Sequence, residues 1–88
     1  MIRIIYVSSA ARPFSQPELE ALLDSSRRNN QARGITGLLL YRAGSFMQIL
    51  EGEERTVRAV YATICRDPRH THIVQLDDSP IDQRSFGA

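Results

Sequence analysis

Runs with strand periodicity and runs with helical periodicity follow one another along this chain in a single order, and that order restricts the fold more than any other feature. Ile2–Val7 is rich in β-branched residues and reads as a strand, with Ile2, Ile4, Tyr6 and Ser8 on one face and Arg3, Ile5 and Val7 on the other. Ser15 with Glu18 three positions on forms a capping box, and Pro17 is tolerated in a first helical turn. A helix is therefore predicted over about Pro17 to Gln31, stopping near Gly34. Ile35–Tyr41 and Phe46–Glu51 read as two strands joined by a hairpin through Gly44. A second helix of about Glu53 to Arg66 carries an inward stripe of Val57, Val60, Tyr61 and Ile64, and Asp67-Pro68 ends it. Thr71–Leu76 reads as a fourth strand, and the stretch from Asp77 is polar and turn-rich until Phe86.

The order βαββαβ implies an α+β chain of the ferredoxin-like plan, a mixed four-stranded sheet with both helices on one face. Residues 1–88 are expected to form a single domain, because no repeat, low-complexity tract or linker interrupts them. A formal net charge of +1 gives no general argument for nucleic acid, and Arg27-Arg28 reads as a solvated helix face. The lone Cys65 excludes an intramolecular disulfide, and His70 and His72 lack the spacing of a metal site. No apolar run approaches membrane-spanning length and no secretory leader is visible, so a cytoplasmic location is expected.

Two polar features disturb this pattern. The apolar stripe of the first helix, Leu19, Leu22 and Leu23, continues at helical spacing into Ser26 and Asn30. Polar groups buried there need partners, at a cost of about 1–3 kcal/mol each when unpaired, although a frayed last turn capped by Asn30 accounts for the same residues. Gln48 stands in the middle of the third strand, on the face shared by Phe46 and Leu50. The first and third strands are neighbours in this plan, which brings Gln48 within reach of Tyr6 if both face the helices. A structural Tyr–Gln bond, or a solvent-facing Gln48, remains the plainer account. Taken together, Tyr6, Gln48, Ser26, Asn30 and the Asp67-Pro68-Arg69-His70 loop outline a slot for a flat heteroaromatic ligand.

The opposite face of the sheet, with Arg3, Ile5, Val7, Met47 and Ile49, is largely apolar, and no further helix of this chain covers it. It is expected to meet a second copy of the chain, a protein effector or further helices.

The blocks Tyr6-Val7-Ser8, Ser26-Arg27-Arg28-Asn29-Asn30, Gly34–Tyr41, Gly44–Gly52 and Asp67-Pro68-Arg69-His70 resemble BLUF domains in order and spacing. The resemblance covers residues 2 to about 86. It implies a blue-light sensor rather than an enzyme, holding an oxidised flavin between the helices: FAD in the cell, with FMN or riboflavin as alternatives in an isolated domain. By that resemblance Tyr6 is the electron donor, and Gln48 lies between its hydroxyl and the flavin N5/O4 edge. Asn30 bonds a ring carbonyl, Arg69 the opposite pyrimidine carbonyl, and His70 lies against the ring, with Asp67 and Ser26 nearby. Asn29 is expected to face away from Asn30. Family members typically continue beyond the position of Phe86 into a fifth strand carrying a tryptophan or methionine, then often two helices. This chain stops at Ala88 without a tryptophan, as an excised or naturally abbreviated form would.

A ferredoxin-like interaction or regulatory module without flavin is the main competing reading. An acylphosphatase-like hydrolase fits less well, since no glycine-rich anion cradle adjoins Asn30 or Arg69 and no nucleophile–base pair is evident.

Overall fold

The computed structural model describes residues 1–86; Gly87 and Ala88, the last positions of the expected 1–88 unit, lie outside the described residues. Strand β1 (Ile2–Ala10) leads to helix α1 (Gln16–Ala32), strands β2 (Thr36–Arg42) and β3 (Ser45–Gly52), helix α2 (Glu54–Cys65) and strand β4 (His70–Pro80). The spatial order is β2-β3-β1-β4, and the α+β, βαββαβ plan holds with both helices on one face. The sheet expected to be mixed is antiparallel at all three of its pairings. The reason is positional: β1 and β2 run the same way, but β3 lies between them, so no parallel pair shares hydrogen bonds.

The alternation expected for β1 decides where the core lies. Ile2, Ile4 and Tyr6 pack with Leu50, Ile35 and Val57 of α2 between sheet and helices, with Val60, Tyr61 and Ile64 of α2 and Ile73 of β4 packed against them. Helix α2 buries Val57, whereas α1 buries no residue fully although its Ser15–Glu18 capping box forms as expected. The helix is well started but rests lightly on the sheet, with Leu19, Leu22 and Leu23 only half-buried. The hairpin between β2 and β3 turns through Ala43 and Gly44, whose φ angles of 51° and 82° are those of a type I′ turn.

Strand β4 is longer than its predicted span and reaches Pro80, opposite Ile2. It tolerates the proline because it is an edge strand with β1 as its neighbour. Two register shifts against β1 interrupt it, one of them beside His72, whose φ is 52°. These bulges break the two-residue period, which is why Asp77–Pro80 read as a turn-rich stretch.

On the other sheet face, Glu51 is fully buried. Its carboxylate accepts from Arg3 Nη2 at 3.0 Å and from the backbone N–H groups of Ser85 and Phe86 at 3.0 Å. Burial by itself raises the Glu51 pKa, but these donors outweigh it and hold the carboxyl below its usual value.

A Cβ at Gly37 would stand 1.8 Å from the Ile49 carbonyl oxygen, so Gly37→Ala should lower stability in urea unfolding by about 1–3 kcal/mol. Because the folded pKa of Glu51 is lowered, its stabilisation is complete above the unfolded value of about 4.3 and is lost as pH falls through the folded one. Glu51→Gln should therefore be less stable than the wild type at neutral pH, with the gap narrowing below about pH 4. Identical acid dependence of the two melting temperatures would contradict this.

Candidate functional site

Tyr6 and Gln48 are directly opposed in the register of β1 and β3, and both are buried. The Tyr6 hydroxyl donates to Gln48 Oε1 at 2.5 Å, and Gln48 Nε2 donates to Ser26 Oγ of α1 at 3.5 Å. The first contact is short and the second is at the outer limit of a hydrogen bond. The amide thus keeps donor capacity for a better-placed acceptor. Burial, then the neighbouring Tyr61, Cys65 and Asp67, raise the pKa of the Tyr6 phenol far above its ordinary value, so it stays protonated throughout the neutral range.

The light seating of α1 leaves a cleft of ≈ 220 Å³ between the two helices. Tyr6, Leu39 and Gln48 line its sheet side; Leu22, Ser26, Asn29, Asn30 and Arg33 come from α1 or the residue after it, and Val60, Thr63 and Ile64 from α2. Asp67, Arg69 and His70 complete the lining from the loop after α2 and the first residue of β4. A second hollow of ≈ 490 Å³ shares Ser26, Asn30, Leu39 and Gln48. The Gln48–Ser26 contact therefore borders both spaces. Aliphatic and aromatic walls with amides at the edges suit a flat heteroaromatic ring, so the residues present fit a flavin.

All of Tyr6, Ser26, Asn30, Gln48, Asp67, Arg69 and His70 line this cleft, as their sequence positions suggested. The Arg69 guanidinium is engaged: its Nε lies 3.0 Å from Asp67 Oδ1 and its Nη2 2.5 Å from Oδ2. This bond is the main reason that the Asp67 pKa is low and that of Arg69 is raised. His70 Nδ1 lies 2.9 Å from Ser8 Oγ, and its ring centroid is 4.8 Å from that of Phe46. Burial depresses the His70 pKa, which favours the neutral imidazole.

Asn29 departs from expectation. It lines the cleft beside Asn30 rather than facing away from it, because an opening wider than one helical stripe admits adjacent positions as well. Tyr61, one of the inward stripe of α2, does more than fill the core: its ring centroid lies 5.5 Å from that of Tyr6. Ser8 is marked in the sequence by the same alternation, which puts it on the Tyr6 face two residues away.

Comparison with known proteins places this geometry in a family. The BLUF family, described as sensors of blue-light using FAD, matches residues 1–88. Photoactivated adenylate cyclase subunit beta of Euglena longa is 40% identical over 85 residues, covering 97% of this chain and 10% of that protein. A solved bacterial light-regulated adenylyl cyclase superposes with a TM-score of 0.91 at 41% identity, over 98% of this chain and 25% of that one. Klebsiella pneumoniae BlrP1, solved with FMN and cyclic diGMP, superposes at 0.84 with 34% identity, over 94% of this chain and 22% of its own. The chain spans about a tenth of the length of the cyclase subunits it matches. With a family match that runs the length of the sequence, the chain belongs to the BLUF family of flavin-binding blue-light sensors.

Proposed function

We propose that residues 1–88 act as one photosensory unit in which Tyr6 and Gln48 carry the photochemistry and Asn30, Arg69 and His70 hold the flavin, with Ser26 and Asp67 positioning them. The observation that carries this reading is the 2.5 Å hydrogen bond from the Tyr6 hydroxyl to Gln48 Oε1 on the sheet side of the cleft. A bound oxidised flavin supplies a strong oxidant when it absorbs blue light. Tyr6 is suited to give up an electron, and its phenolic proton has a ready path along the hydrogen bond to Gln48. When electron and proton return to Tyr6, the Gln48 amide can settle rotated or tautomerised, with its donors and acceptors exchanged. Ser26 then matters as the group that releases Nε2, because its long contact holds the amide weakly in the dark arrangement. Asp67 keeps the Arg69 guanidinium at the cleft, where it can meet a ring carbonyl.

The reverse of the sheet is the output surface in this reading. Leu38, Leu40, Met47, Val74 and Leu76 are exposed there or along its edge. Leu38 pairs with Ile49 and Leu40 with Met47, while Val7 pairs with both Met47 and Val74, so the apolar side chains run from strand to strand. A contiguous surface of this kind suits a second copy of the chain or a protein effector. The cyclases among its relatives favour an effector whose activity is set by light. No helix of the described residues is long and apolar enough to cross a membrane, and we assign the unit to the cytoplasm.

Blue illumination of the flavin-loaded protein should shift its absorption to the red and revert in the dark; an unchanged spectrum in loaded protein would overturn the reading. Tyr6→Phe and Gln48→Leu should each abolish the shift while flavin still binds. Asn30→Ala should weaken flavin binding by several-fold to about tenfold in a fluorescence titration, the worth of one hydrogen bond of about 1 kcal/mol.

A further inference from the structure

The same two strands that oppose Tyr6 to Gln48 on the helix side oppose Arg3 to Glu51 on the reverse side, three residues along each strand. Glu51 is a charged residue with no exposed surface on a face otherwise open to solvent. What covers it is the segment after β4. Ser85 N donates to both carboxylate oxygens, at 3.0 and 3.1 Å, and Phe86 N donates to Oε1 at 3.0 Å. Arg3 Nη2 bridges Glu51 Oε2 at 3.0 Å and Ser85 Oγ at 2.7 Å. Arg84 Nη1 reaches the Glu51 carbonyl at 3.1 Å and Thr36 Oγ1 at 2.9 Å. The carboxylate therefore joins β1, β3 and residues 85–86, Thr36 of β2 reaches it at 3.5 Å, and Arg84 ties the Glu51 backbone to β2 as well.

An apolar residue at this position would have sufficed to fill space. A buried carboxylate is instead demanding, because losing a donor leaves a charge uncompensated. Its geometry is consequently sensitive to small movements of β3 against β1. Strand β3 is paired on both sides through Gln48 and Glu51 alike, so the two residues move with one backbone.

We propose that Glu51 is the positioning residue through which β3 holds residues 84–86, so that rearrangement of Gln48 loosens or tightens that segment. The proposal rests on the photosensory reading above and adds where the change leaves the sheet. The rearranged amide alters the tie between Tyr6 and Gln48, β3 shifts slightly against β1, and the Arg3–Glu51–Ser85 contacts respond on the opposite face. The flavin cleft does not contain Glu51, so binding and photochemistry should survive its replacement.

The test is amide hydrogen exchange at residues 84–86 of the full flavin-loaded chain, in darkness and under blue light, with the absorption shift recorded on the same sample. Light should change exchange at Ser85 and Phe86 by about fivefold or more, the lower end of ordinary coupling. Glu51→Gln should keep the red shift and lose most of that light–dark difference. Ser85→Pro, which removes the N–H that donates to Glu51 and the hydroxyl that accepts from Arg3 while leaving the strand pairing in place, should keep the red shift and leave Phe86 exchanging equally fast in light and dark. A residue that only supports the fold would lower the melting temperature and leave the light–dark difference intact, and that result would overturn the proposal. So would a wild-type chain with a normal red shift and no exchange change at 84–86. A wild-type chain with no red shift would instead overturn the photosensory reading, and the relay with it.

Discussion

The pairing of β1 with β3 is the constraint on which the other features depend. Its register sets Tyr6 opposite Gln48 on the covered face and Arg3 opposite Glu51 on the reverse. Side chains directly opposed in an antiparallel pair lie close enough for a tyrosine hydroxyl to meet a glutamine carbonyl. Sliding the pairing by one residue would send every side chain of one strand to the other face. The apolar residues that flank Tyr6 and Gln48 resist such a slip, because Ile4, Leu50 and Phe46 would then be exposed. The hydrophobic core, of which the Tyr6 ring is itself a part, thereby fixes the distance between the Tyr6 hydroxyl and the Gln48 amide.

The helices divide the work unequally. Helix α2 buries Val57 and lays Val60, Tyr61 and Ile64 over the sheet, so it acts as the fixed wall. Helix α1 is anchored at its start by the capping box, yet its second half presents Ser26, Asn29 and Asn30 to a cleft. A run of leucines there would pack against Leu39 and the slot would close. The polar residues hold it open and supply its hydrogen-bonding edges. All buried side-chain polar atoms among the described residues nonetheless have partners. The network is therefore a satisfied arrangement, with one weak link at Gln48 and Ser26.

Most of the plan was legible because periodicity and capping are local. The strand and helix order, the capping box, the hairpin and the inward stripe of α2 all follow from residues near one another in the chain. The opposition of Tyr6 and Gln48 was legible one step further, as an alternation on two strands that this topology makes neighbours. Asn29 shows where helical spacing misleads: it describes a helix against a flat neighbour, and α1 instead borders an opening. The extension of β4 to Pro80 was hidden because bulges erase the two-residue period.

Glu51 marks the boundary between what sequence and tertiary structure each decide. The residue types by themselves determined the element order and the two alternating faces of each strand, and they marked Tyr6, Ser26, Asn30, Gln48 and the Asp67–His70 loop as polar groups able to meet on one of those faces. They also showed an apolar reverse face with Arg3 on it. That Glu51 lies buried on that face, held by Arg3 and by the N–H groups of Ser85 and Phe86, was decided only by tertiary structure. A charged side chain reads as exposed until the chain that covers it is placed, and here the covering segment is more than thirty residues away in sequence. Backbone donors carry no side-chain signature, so no pattern of residue types could announce them.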